Sequence, residues 1–161
     1  PQHSLTPRGA GQGVTARRTA VRVTTPTAVD LVSTLMARDR FSQWLGIEVL
    51  EAAVGKSVLR MTVREEMVNG FGTSHGGILF SLADSAFAFA TNACGVLSVA
   101  IDCTVSFPLA VRPGDVLTAT AIEQTTTKRL AFVDVTVRNQ DDAIAGHFRG
   151  TVYRTAIPHQ L

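Results

Sequence analysis

Cysteine is scarce in this chain: Cys94 and Cys103, nine residues apart, are the only two in 161 residues. A disulfide-stapled scaffold is thereby excluded, and the pair fits reduced thiols in a cytoplasmic protein. Neither cysteine has a basic or histidine neighbour close in sequence, so neither is placed as a catalytic thiol. The four histidines (His3, His75, His147, His159) are scattered, with no H-x-x-x-H or C-x-x-C, so no metal is expected. Long hydrophobic runs are missing too. The longest, Ile78 to Ala93, is too short for a membrane span and carries Asp84 in its middle. Charge of one sign is also lacking, at 15 Lys+Arg against 13 Asp+Glu. The excess sits in residues 1–40, where Arg8, Arg17, Arg18, Arg22, Arg38 and Arg40 face only Asp30 and Asp39. The other residues hold nine basic against eleven acidic side chains, so the body has no nucleic-acid footprint. No alternating βαβ pattern supports a dinucleotide fold, and no internal repeat appears.

With 45% hydrophobic residues, the chain has material for one buried core. Residues 1–26, rich in Pro, Gly, Thr and Arg without hydrophobic period, read as a flexible basic arm ahead of a single domain over 27–161. The Arg-rich, acid-free composition also suits an organelle transit peptide, although its prolines and glycines make a poor amphipathic helix. Thr27 to Asp39 has helical spacing at Val29, Val32, Leu35 and Met36, with Thr27 as N-cap and Asp30 in the first turn. Phe41 and Trp44 follow as core packing or a pocket lid.

Leu45–Leu50 and Val58–Arg64 alternate as strands around a turn at AAVGKS, placing Leu59, Met61 and Val63 on one face. After Gly95 the pattern is all strand: Leu97–Phe107, Asp115–Thr125, Arg129–Asn139 and Ala143–Thr155, with a hairpin turn at Asn139–Asp142.

Between these lies Asn69 to Gly95, NGFGTSHGGILFSLADSAFAFATNACG. A Gly-rich turn enters a helix apolar nearly all round, which should be buried. A carboxylate in such a helix is costly unless paired, hydrogen-bonded or open to water. Asp84 is therefore either a structural Asp bonded to a packed neighbour or a base or nucleophile in an apolar cleft. At the helix start, His75, Gly76 and Gly77 sit where backbone N–H groups lack intrahelical partners, and such amides favour an oxyanion; a tight turn that merely needs glycine is the alternative. Gly76 and Asp84 are eight residues apart, about 12 Å along one helix at ~1.5 Å per residue. They cannot touch the same carbonyl. If both act, the Asp84 of one subunit faces the Gly76 of another, and the site is shared across a two-fold dimer.

The run N-G-F-G-T-S-H-G-G-I-L-F-S-L-A-D-S-A-F resembles the signature of the hotdog-fold thioesterases, in particular the phenylacetic-acid-degradation (PaaI-like) family. The likeness covers about residues 36–155, with weaker matches at R-P-G-D (Arg112–Asp115) and H-F-R-G (His147–Gly150). It implies an α+β hotdog fold, an antiparallel sheet of about five to six strands wrapped around one long central helix. A helix apolar on nearly every side among antiparallel strands points the same way. The resemblance further implies hydrolysis of acyl-CoA thioesters, CoA being part of the substrate and no cofactor being needed. Gly76 would polarise the thioester carbonyl, Asp84 would attack or activate water, and Asn69 would orient the attack. Phe71 stands where many relatives carry histidine. Residue type alone leaves Asn69 equally an Asx-turn residue and His75 a cap or a second polar contact. Gly77 and Phe80 are candidates for substrate contact, and Lys128, Arg129 and Arg149 for the CoA phosphates. The acyl group is expected to be aryl or medium-chain, and the assembly a homodimer or a tetramer of paired dimers. A hotdog dehydratase and an acyl-CoA-binding module without turnover are the competing readings; neither nucleic acid nor membrane is expected as a partner.

Overall fold

The computed structural model describes residues 26–160, so the expected N-terminal arm lies outside the described residues except for Pro26. Helix α1 (Ala28–Arg38) opens as anticipated: the Thr27 hydroxyl accepts the Asp30 N–H, and the Asp30 carboxylate accepts the Thr27 N–H, forming a capping box. Asp39 then ends α1 and caps a second short helix, α2 (Arg40–Leu45). This overturns the strand expected from Leu45. Leu45 closes α2, and Gly46 takes the left-handed conformation (φ 75°) that terminates it. Phe41 and Trp44 are correspondingly not core residues. They stack on each other on the surface, each more than half exposed, with Arg64 held over Trp44.

Six strands follow: β1 (Glu48–Ala53), β2 (Lys56–Thr62), β3 (Val96–Ser106), β4 (Val116–Thr126), β5 (Leu130–Arg138) and β6 (Ile144–Pro158). They form one sheet in the order β1-β2-β4-β5-β6-β3, every neighbouring pair antiparallel. The turn between β1 and β2 is tighter than AAVGKS suggests, because Gly55 at φ 76° reverses the chain with Val54 alone beside it. The third helix, α3 (Gly76–Asn92), lies across the concave face. This is the hotdog fold.

Alternation decides which side chains meet the helix. Leu59 and Met61 on β2, Leu117, Ala119 and Ala121 on β4, and Ala131, Val133, Val135 and Val137 on β5 are all buried. They receive Leu82, Ala83, Ala86, Phe87 and Ala90 of α3. Full burial of Phe87 contributes roughly 2–3 kcal/mol before the entropy cost of ordering it. The sheet makes room with small residues. A Cβ on Gly150 would stand 2.7 Å from Phe87 Cζ, and one on Gly146 2.5 Å from Leu79 Cδ2. The H-F-R-G run is thus a helix-packing element. At its far end α3 is fastened by Asn92, whose Oδ1 accepts the Ser98 N–H and whose Nδ2 donates to the Ala88 carbonyl.

Burial of α3 is not complete. Ser81, Asp84 and Ala88 are only partly covered and Gly77 is exposed, so a stripe at three- and four-residue spacing stays open. Beside it, the edge strand β3 exposes Leu97 (37%), Val99 (49%) and Ile101 (59%).

Candidate active site

The loop before α3 is built by Asn69. Its Oδ1 accepts the Phe71 N–H at 2.8 Å, and its Nδ2 donates to Thr73 Oγ1 at 3.0 Å. This is the Asx-turn arrangement, and it leaves Phe71 at the tip, 92% exposed between Gly70 and Gly72. Backbone bonds from Ser74 N–H to the Val111 carbonyl (2.8 Å) and from His75 N–H to the Met67 carbonyl (2.8 Å) fix where the helix begins.

His75 is the N-cap of α3, and its Nδ1 accepts the Gly77 N–H at 3.0 Å. The neutral ring that does this carries its proton on Nε2. The two glycines therefore differ. Gly77 has its amide engaged by His75, whereas the Gly76 N–H has no partner among the described residues. Gly76 borders a cleft of about 300 Å³ together with Thr73, His75, Leu79, Phe107 and Val111. The Phe107 ring lies so close that a Cβ on Gly76 would meet its Cζ at 3.3 Å. A free amide at a helix N-terminus, walled by apolar side chains, is suited to a polarised carbonyl oxygen.

Asp84 stands in the open stripe of α3, half-buried, with no hydrogen-bond or ion-pair partner among the described residues. Burial raises its pKa above the ordinary carboxylate value, and the negative charge of Asp39 adds to the rise. The inward-facing Cys103 thiol on β3 is pushed up to about 11, by burial first, then by the charges of Asp84 and Asp102. Asp84 thus has a protonated thiol and a second carboxylate in its surroundings. Neither neighbour is evident in the sequence: Asp39 is 45 residues upstream, at the end of the helical pattern read over Thr27 to Asp39.

The remaining candidates are dispersed. Phe80 is partly buried and meets Phe148 edge-to-face at 5.6 Å, as part of the packing around α3. Arg149 lies on the outer face of the sheet, away from α3, and is engaged bidentately by Asp134 at 2.6 and 2.9 Å. Lys128 and Arg129 occupy the β4–β5 turn, with the Arg129 guanidinium bonded to the Tyr153 hydroxyl and lying over its ring. Tyr153 pairs with Val99, eight residues before Phe107. Within one chain this basic turn and Gly76 are therefore separated by roughly 26 Å of β3, at ~3.3 Å per residue.

A hotdog sheet around one helix, with an amide at the helix start and a carboxylate two turns on that both lack partners among the described residues, has the make-up of a thioester-hydrolysing fold. The chain belongs to the thioesterase superfamily, whose family model matches residues 71–145, and within it to the PaaI-like group. It is 40% identical over 116 residues to the acyl-coenzyme A thioesterase PaaI of Escherichia coli K12, covering 72% of this chain and 83% of that protein. Human acyl-coenzyme A thioesterase 13 is 30% identical over 114 residues, covering 69% and 81%. The solved structure of the E. coli PaaI protein from the phenylacetic acid degradation operon superposes with a TM-score of 0.80 at 37% identity, covering 81% of this chain and 95% of that one.

Proposed function

We propose that this chain hydrolyses acyl-CoA thioesters to the free acid and CoA in a site shared between two subunits. One observation carries the reading: Gly76 N–H and the Asp84 carboxylate both lack a partner among the described residues, yet they lie about 12 Å apart on a single helix. An antiparallel pairing of two β3 edges would bury Leu97, Val99 and Ile101 and set the open stripe of one α3 against the helix start of the other.

In that site the thioester oxygen accepts the Gly76 N–H, and the nucleophile comes from the partner subunit's Asp84. Acting as base, the carboxylate takes a proton from water, and the hydroxide adds to the carbonyl carbon. The tetrahedral oxyanion, held by Gly76, then collapses, breaking the C–S bond and releasing CoA thiolate and the acid. Acting as nucleophile, Asp84 forms an anhydride with the same loss of thiolate, and water then cleaves it. The raised pKa of Asp84 suits the first route, since a more basic carboxylate takes the proton more readily. Asn69 serves by shaping the loop, and His75 by holding Gly77 so that the adjacent Gly76 amide points free.

The same edge pairing reverses β3, carrying Lys128 and Arg129 of one subunit toward the Gly76 end of the other. We assign those two side chains to the CoA phosphates. Arg149, neutralised by Asp134 on the outer face, is left out. Phe107 and Leu109 at the cleft favour an aryl or medium-chain acyl group, and a cytoplasmic tetramer of paired dimers is the assembly we expect.

Free-thiol release from aryl-acetyl, benzoyl and straight-chain acyl-CoAs tests the reading, with Asp84→Asn alongside. Turnover by the wild type, lost in the variant, is the expected result. Tight acyl-CoA binding without turnover across the whole panel would replace hydrolysis with a binding role.

A further inference from the structure

Helices α1 and α2 meet at one residue. The Asp39 N–H donates to the Leu35 and Met36 carbonyls at 3.0 and 3.2 Å and closes α1. Its Oδ1 accepts the N–H groups of Phe41 (3.1 Å) and Ser42 (2.9 Å) and opens α2. Its other oxygen, Oδ2, accepts the Ser42 hydroxyl at 2.6 Å. Ser42 is fully buried, and its Oγ lies 2.9 Å from the Oγ of Ser85 on α3. The Ser42 proton is given to the carboxylate, so Ser85 is the donor in this second bond. Two hydrogen bonds thus run in a fixed direction, from Ser85 through Ser42 to Asp39. They start at the residue next to Asp84.

A six-residue helix has little stability of its own, and buried hydroxyls are retained where they are satisfied. The Ser42–Ser85 bond is what joins α2 to the middle of α3 by polar contact. We propose that Asp39 is a positioning residue of the thioesterase reaction: through Ser42 and Ser85 its carboxylate fixes the turn of α3 that presents Asp84 on the helix's open stripe, and it sets a second negative charge near that group. The inference rests on Asp84 being the reacting carboxylate.

The groups that bear on Asp84 from the packed elements are Asp39, at the α1–α2 junction, and the Cys103 thiol on β3, which has Asp102 beside it. The thiol stays neutral well above neutral pH, so it adds no charge there. Asp39 is the neighbour whose charge can be removed without losing its cap, because asparagine is as good an N-cap as aspartate. A like charge holds the proton on Asp84, and removing it eases ionisation. In Asp39→Asn the acid limb of kcat against pH therefore moves to lower pH, while KM stays within about twofold and the fold is retained. A purely structural role would not move that limb.

The test is the kcat–pH profile of wild type, Asp39→Asn and Asp84→Asn on one acyl-CoA. A shifted limb in Asp39→Asn supports the proposal, and a profile superimposing on wild type overturns it. Should Asp39→Asn not fold, Ser85→Ala leaves the α2 cap intact and cuts only the link. There, kcat falling about tenfold at unchanged KM supports positioning, and an unchanged kcat overturns it. Full turnover in Asp84→Asn would instead remove the assignment underneath, a failure readily told apart from an unshifted Asp39→Asn profile.

Discussion

Asp84 costs the folded chain something that its neighbours do not repay. A half-buried carboxylate with raised pKa is destabilising in its charged form, so the sign of its contribution can be worked out. Below the ordinary carboxylate range Asp84 is protonated whether folded or unfolded. As pH rises, the unfolded chain ionises first, and stability is lost until the folded group has ionised as well. Asp84→Asn should then raise Tm at neutral pH, and the gain should shrink toward zero in acid. Thermal melts of both proteins at the two extremes check this. The same variant should lose about 10²–10⁴-fold in thioester turnover, the range a missing base or nucleophile gives. Opposite changes in stability and activity from one substitution would mark Asp84 as functional. A structural Asp would lose both together.

Among the elements, α3 is the central scaffold and carries both groups of the proposed site, and its ends and its packing can be perturbed separately. His75→Ala removes the cap and should cost about 1 kcal/mol in chemical denaturation, with His75→Asn recovering most of it. Gly150→Ala is a packing lesion: its Cβ would press on Phe87 and Phe148 at 2.7 and 2.9 Å, for a loss of about 1–3 kcal/mol. Phe87 is three residues from Asp84, so that variant should also lose turnover in the fraction that remains folded. Much of this layer is legible in the sequence. Strands after Gly95 can be read to within a few residues because β-branched and aromatic side chains are dense there between clear turn residues, and α3 because its apolar run has one length and one carboxylate. The start of the sheet is not legible. Leu45-Gly46-Ile47 reads as the beginning of an alternating run, but Asp39 spends its carboxylate on a new helix and Gly46 ends it. The chemistry divides in the same way. Gly76 and Asp84 can be singled out by local pattern, whereas the engaged amide of Gly77, the Asp134 lock on Arg149 and the Asp39 charge near Asp84 come from side-chain geometry or from partners distant in sequence.

At the scale of the whole molecule, a shared site predicts complementation. A chain carrying Asp84→Asn and one carrying Gly76→Val are each inactive alone. Refolded together in equal amounts, half of the dimers should be mixed, each with one intact site, restoring about a quarter of wild-type sites. Activity appearing only after co-refolding checks this; no recovery would place both groups in one subunit's site. The sheet that makes such pairing possible has two outer strands, and they are not alike. β3 is eleven residues long with an apolar flank. β1 has six residues, a bulge between Val49 and Glu51, and the ion pairs Glu48–Arg60 and Glu51–Lys56 along it. A chain able to add strands at both ends would grow into a ribbon without limit. In the proposed dimer one end would take a neighbour while the other is blunted by charge and a kink, so strand-by-strand growth would stop at two.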